Sequence, residues 1–332
     1  MFSGVRATGP TPGPFRASLI FTGVLICGAA GCQLDRSAGP VHVEVQDWPG
    51  GGANGKQILT DHWDIRTTIR DTEFHKLLPE FMESTYHQYT KLFPNMQTSD
   101  SRRLQVYLFQ SRREWEAFSA KRFPRKARLY RRIRQGAYCE GDLCVAYYIR
   151  RVYTLSVLAH EGLHAFVHRH FAGTLPAWLN EGLATYCEGY EYGVESPKFT
   201  PDRNEFRLNS LRAALLGDQL VPLRELLRTH AGEVVRGTSP GVYAYYSQAW
   251  ALIVYLRHGE KGKYAREFES LLQDLGTERM RVGVGAYVAA TRTEDGSPMS
   301  FGEAVFRKYI SEDLDTFERQ YKKYLYEVTS LR

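Results

Sequence analysis

The spacing of apolar residues changes character near residue 150, and this limits what the chain can fold into. Before that point, short runs such as Leu104-Gln105-Val106-Tyr107-Leu108-Phe109 read as strands. His62 to Thr68, Gly136 to Cys139 and Val145 to Ile149 read the same way. Apolar residues at helical spacing run from Thr72 to Phe93, where Pro79 is expected to mark the helix start, and Ser111 with Glu114 forms a capping box for a further helix. From Thr154 onward the pattern is almost wholly helical: Thr154 to about His170, Pro176 to about Tyr190, Asn204 to Leu216, Pro222 to Arg228, Val242 to Arg257, Tyr264 to Leu275, Phe301 to Ile310 and Leu314 to Leu331. Strands first and helices after predict an α+β protein. A small mixed N-terminal sheet lobe (about 56–153) should meet a mainly helical C-terminal lobe (about 154–332), with the 154–170 helix at the junction.

The first 31 residues are expected to be an export signal rather than fold. Arg6 and Arg16 precede an apolar run from Ala17 to Ala30, shorter than the roughly 20 residues that span a bilayer. Ala29-Ala30-Gly31-Cys32 resembles a bacterial lipobox, which implies lipidation of Cys32 and a membrane-anchored domain outside the cytoplasm. Residues 32–55, with Pro40, Pro49 and Gly50-Gly51-Gly52, read as a flexible tether. Cys139 and Cys144 flank a turn-like loop, so they are either a disulfide, the favoured reading, or two thiols. Cys187 should pack as a small buried hydrophobe. The net charge of +6 is modest, and no nucleic-acid partner is expected. The basic run from Lys121 to Arg134 holds no acid. It is a solvated face or a surface for anionic lipid or an acidic polymer.

The residues that carry chemistry are His160-Glu161-Gly162-Leu163-His164. On a helix, residues four apart lie one turn apart on one face, so both imidazoles can reach one metal ion. Glu161 lies about 100° round the helix and can act on water rather than on the metal. A catalytic zinc needs a third protein ligand and an open fourth position. Val167 stands where a glycine would be needed to bring His170 back. His168 lies two turns from His160, too far to share an ion with it. Glu181, in Leu175-Pro176-Ala177-Trp178-Leu179-Asn180-Glu181-Gly182, is the better candidate. Gly173 and Pro176 supply a turn, and Gly182 and Ala184 let a second helix approach the first closely. Glu188, seven residues further on, shares the Glu181 face and could hold a substrate amine or stand solvated. Thr185 could support a ligand.

The H-E-x-x-H motif followed by W-L-N-E-G-x-A-x-Y resembles the gluzincin zinc metallopeptidases. The closest likeness is to peptidase-MA-like domains on bacterial envelope lipoproteins, clearly over His160 to Glu188 and more loosely over Leu104 to Leu256. The resemblance implies one Zn2+ per chain held by His160, His164 and Glu181, with Glu161 as the base. It also implies an oxyanion donor in Tyr245-Tyr246-Ser247-Gln248-Ala249-Trp250, either Tyr246, which the likeness aligns, or Tyr245. It further implies that the edge strand near Ala137 pairs with extended substrate. A glutamate-bearing exopeptidase signature is absent after Gly136-Ala137, which favours an endopeptidase. The chain is thus expected to be an envelope zinc peptidase acting on peptide or protein. A silent peptidase-fold binding module and a hydrolase of non-peptide amides are the alternatives.

Overall fold

A computed structural model describes residues 41–332 except 94, 97–99, 134–135, 172, 174, 193–196, 230–238, 292–298 and 332. The expected export signal and Cys32 lie outside the described residues. No helix among the described residues is long and apolar enough to cross a membrane.

The protein is α+β, with a six-stranded mixed sheet ordered β1-β2-β3-β4-β6-β5. The strands are β1 (Glu44–Asp47), β2 (Lys56–Leu59), β3 (Trp63–Thr67), β4 (Leu104–Phe109), β5 (Ala137–Glu140) and β6 (Leu143–Tyr147). Strands β3, β4 and β6 run parallel, and the strands at both margins are antiparallel to their neighbours. Strand β6 is buried along its whole length. Its alternation sends Cys144 and Ala146 into the main core and Leu143, Val145 and Tyr147 into a second core on the opposite face. A strand covered on both faces reads as one continuous apolar run.

Helices cover both faces. Helix α1 (Thr72–Leu92) belongs to the main core. Helix α2 (Arg112–Arg122) and the short α3 (Ala127–Tyr130) cover the second, where Trp115, Tyr130 and Tyr138 pack. Helix α4 (Arg151–His170) packs on β5, β6, α1 and α5 (Ala177–Cys187). The rest of the main core is α6 (Glu205–Leu216), α7 (Leu223–Arg228), α8 (Ser239–His258), α9 (Ala265–Asp274), α10 (Glu278–Ala290), α11 (Phe301–Tyr309) and α12 (Leu314–Thr329), with a small hairpin β7 (Tyr190–Tyr192) and β8 (Pro197–Phe199). The described residues, from Val41 on, fall within one compact unit, with no domain break near residue 153.

Four expectations are corrected. The tether reading fails from Glu44 on, because β1 pairs in register with β2 and Trp48 packs edge-on to Tyr107. Helix α1 starts at Thr72 rather than near Pro79. The Asp71 carboxylate caps it by accepting from the Phe74 backbone N–H, and Phe74, Leu78, Phe81 and Met82 bury around the proline. That burial outweighs the roughly 3 kcal/mol an interior proline costs. The helix opened by Pro176 stops at Cys187, because Tyr190 begins β7. Cys139 and Cys144 face each other across β5 and β6 as free thiols, with sulfurs 3.9 Å apart.

Two close approaches fix α4 and α5. At Gly162 a Cβ would lie 2.6 Å from the Tyr89 hydroxyl, which donates to the Ala159 carbonyl. At Gly182 a Cβ would meet Ile253 at 2.7 Å and the Ala249 carbonyl at 2.9 Å, so α5 and α8 touch nearly backbone to backbone. Gly182→Val should therefore lower unfolding stability by about 1–3 kcal/mol in a denaturant titration. Gly285→Ala is the contrasting case: a Cβ on that exposed α10 residue meets nothing within 4 Å. It should raise stability by about 0.5–1 kcal/mol.

Candidate metal centre

Helix α4 presents His160 and His164 from one face, and α5 returns beside it to present Glu181. The turn between them uses Gly173 at φ +118°, a conformation that other residues adopt only under strain. His160 Nε2 lies 3.2 Å from His164 Nε2 and 3.3 Å from Glu181 Oε2, and His164 Nε2 lies 3.5 Å from the same oxygen. Tetrahedral bonds of roughly 2.0–2.1 Å space their donor atoms roughly 3.3 Å apart, so the triangle has the dimensions of three corners of such a site. Glu181 Oε2 is buried and has no hydrogen-bond donor of its own. A buried carboxylate oxygen in that state is costly unless a cation meets it. The three side chains could hold a metal ion, and the donor set fits.

The remaining ring nitrogens are fixed from behind. His160 Nδ1 is 2.8 Å from Glu188 Oε1. Glu188 is itself buried and accepts from Arg207 Nη2 and Nε at 2.6 and 2.7 Å and from Asn204 Nδ2 at 3.2 Å. His164 Nδ1 lies 3.2 Å from Asn180 Oδ1. Partners of this kind hold each imidazole in the tautomer that leaves Nε2 free for a metal. Glu188 is thus neither solvated nor free for a substrate amine, contrary to both readings from the sequence. Its salt bridge to Arg207 occupies it. Thr185 supports no ligand side chain, because its hydroxyl bonds back to the Glu181 and Gly182 carbonyls. Cys187 is buried, as expected.

Sequence reasoning missed Asn180, Asn204 and Arg207. Asn180 adjoins Glu181, and an amide beside a ligand is a usable signal. Arg207 lies 47 residues beyond His160, and nothing in its neighbourhood marks it.

A cleft of about 440 Å³ opens on these donors, lined among others by Glu161, Tyr246, Ala137 and Tyr138. Burial raises the Glu161 carboxyl above its ordinary pKa, against the lowering pull of the two histidines. Tyr246 lines the cleft, with its ring 5.9 Å from that of His160 and the Arg207 guanidinium 5.3 Å from its centroid. Burial and the nearby Glu181 and Glu161 keep its phenol protonated. Tyr245 sits in the main core and does not line the cleft. Of the rejected ligands, His168 lines the cleft and His170 borders a separate pocket near Tyr86. Neither belongs to the donor cluster.

In the metal-free site, burial pushes the His160 imidazolium toward deprotonation, but Glu181 and Glu188 outweigh it and lift its pKa to about 10. Glu188, which burial alone would raise, is held down at about 2, chiefly by Arg207. A metal must displace the His160 proton, so apparent metal affinity should climb steadily from pH 6 to 9 in a chelator competition. The sign for folding is opposite. A raised histidine pKa stabilises the metal-free protein fully below about 6.5, and that contribution is lost as pH rises through about 10. Glu188→Gln should weaken metal binding by about 10–100-fold. It should also cost about 3–5 kcal/mol, because it leaves the Arg207 charge buried and unpaired. Unchanged metal affinity in that variant would refute the orienting role. No protein-family model matches the chain, and no curated protein matches it either.

Proposed function

We propose that this chain is a zinc-dependent peptidase of the gluzincin type, with one Zn2+ held by His160, His164 and Glu181. The observation that carries the reading is the convergence of two imidazole nitrogens and one carboxylate oxygen within 3.5 Å of one another, beside an acidic residue that is not a ligand. Two imidazoles and a carboxylate at tetrahedral spacing suit zinc better than the octahedral oxygen-preferring cations. When bound, the metal supplies Lewis acidity, polarising a carbonyl and bringing the pKa of water toward about 7.

The chain's own residues supply the rest. Glu161 accepts the proton of the attacking water and returns it to the departing amine, a task suited to a half-buried carboxylate of raised pKa. Tyr246 donates its phenolic proton in a hydrogen bond to the oxygen that gains charge as the carbonyl is attacked. Its place in the cleft supports that role over Tyr245, which lies in the core. Glu188 and Asn180 hold the imidazoles in register. Among the described residues strand β5 ends the sheet with one edge unpaired, and an extended polypeptide adding to that edge would bring a peptide bond over the cleft. An open cleft bordered by such an edge suits cleavage within a chain. We further propose that residues 1–31 direct export and that Cys32 is lipidated, which anchors the peptidase unit to a membrane outside the cytoplasm.

Glu161→Gln should leave metal content unchanged and reduce turnover of a peptide library by about 10²–10⁴-fold. Tyr246→Phe should reduce kcat by about 10²–10³-fold, also without metal loss. Glu181→Ala should lose most of the zinc measured by elemental analysis. Continued cleavage by the Glu161 variant would remove that residue as the base. A zinc-loaded wild type that cleaves nothing would favour the binding-module reading.

A further inference from the structure

A cationic surface borders the cleft, and the proposed chemistry makes no use of it. The end of α2, the short α3 and the turns on either side of α3 carry Lys121, Arg122, Arg125, Arg128, Arg131 and Arg132, all exposed. Lys126, in the same stretch, is engaged by both carboxylate oxygens of Glu140 at 2.7 Å. No carboxylate pairs with the other six among the described residues. Arg134, the last cation of the run, lies outside them. Exposed cations of one sign without carboxylate partners repel one another and add little to the stability of the fold.

This surface is joined to the cleft. Tyr130 of α3 stacks face to face on Tyr138 of β5, with ring centroids 3.7 Å apart and planes within 3°. Tyr138 and Ile133 both line the cleft, and Ile133 directly follows Arg131 and Arg132. The Lys126–Glu140 contact ties α3 to the far end of the same strand. The cations therefore border the strand whose unpaired edge faces the substrate path.

Resting on the peptidase reading, we infer that this surface selects polypeptides rich in acidic side chains and draws them along β5 into the cleft. A membrane surface is a poorer match. Amphipathic helices that dock on bilayers bury a row of apolar side chains beside their cations. Here Leu129 is the one large apolar side chain exposed between residues 121 and 133, and it is 38% accessible. The basic helix that carries it is four residues long. Attraction between an acidic chain and exposed cations acts through solvent, so it governs encounter and selection more than tight binding.

The test uses the full chain carrying Glu161→Gln and loaded with zinc, so that binding is read without cleavage. The probes are a fluorescein-labelled peptide of alternating Glu and Ala and its Gln/Ala counterpart of equal length, followed by anisotropy. The Glu peptide should bind at least about tenfold more tightly at low salt, and the preference should fade as the screening length shrinks from about 10 Å at 0.1 M salt to about 3 Å at 1 M. Replacing Arg125, Arg128, Arg131 and Arg132 together by alanine should abolish the preference with zinc content unchanged, and replacing the same four by lysine should retain it. Equal binding of the two peptides overturns the inference, as does a preference that survives the alanine variant. Capture of phosphatidylglycerol vesicles through these arginines, without binding of the Glu peptide, overturns it in favour of a membrane surface. Patch-dependent binding by a wild type that cleaves no peptide retires the peptidase reading while upholding the surface's selectivity for acidic chains.

Discussion

The bidentate ion pair between Glu188 and Arg207 is the interaction on which the centre depends. A carboxylate buried without partners would be expelled or neutralised. The Arg207 fork holds it ionised at the end of α5, where one oxygen reaches His160 Nδ1. That contact engages Nδ1 and so leaves Nε2 as the ring nitrogen that meets Glu181. It also binds three elements together, since Glu188 ends α5, His160 lies on α4 and Arg207 on α6. The donor triangle is thus a product of tertiary structure rather than of the H-E-x-x-H helix alone. Buried pairs of this kind add little net stability but strongly penalise any arrangement that separates them. Here the penalty enforces one register between the helices.

The same enforcement runs through the close contacts. Glycine at 162 lets Tyr89 and Trp63 press on α4 from the α1 side and the sheet, while glycine at 182 lets α8 press on α5 from behind. Each helix is thereby fixed on the side away from the cleft, and the facing sides are left for polar donors. Well-packed contacts of this sort leave no slack for a small displacement, which suits a site whose donors sit 3.2–3.5 Å apart.

These patterns explain which features could be read from the sequence. The four-residue spacing of His160 and His164 states its own geometry, because the helix period converts spacing into direction. Glu181 was legible for a similar reason, since proline and glycines bracket it in the pattern of a short, closely packed second helix. The buried strands declared themselves by length and apolarity. Strand β1 did not. Its residues are all exposed, so no alternation marks it, and only the partner strand and Trp48 hold it in place. Pro79 misled because propensity is local and the burial around it is not. Glu188 misled in another way. Its position on the Glu181 face was visible, but its charge partner comes from a helix that begins at Glu205. No periodicity connects elements across that separation.

The electrostatics of the donor set bear on the choice between a metal centre and a structural polar cluster. Glu181 and Glu188 are both buried and both held ionised, each with its pKa lowered against the pull of burial. Arg207 answers Glu188. Without a metal, Glu181 is answered chiefly by the imidazoles, and His160, lifted to about 10 by Glu181 and Glu188, keeps its proton. His164, also lifted by Glu181, lies with its Nε2 3.2 Å from His160 Nε2, so protonating both rings sets like charges against each other. A purely structural cluster would have no reason to confront two basic nitrogens in this way, since a single cationic side chain would satisfy the carboxylate at less cost. A divalent cation held there would remove the conflict, taking both Nε2 lone pairs and the Glu181 charge while the Nδ1 hydrogens stayed with Glu188 and Asn180. As hydrogen-bond partners the three groups leave Glu181 Oε2 unmet, whereas as donors they could hold a metal ion.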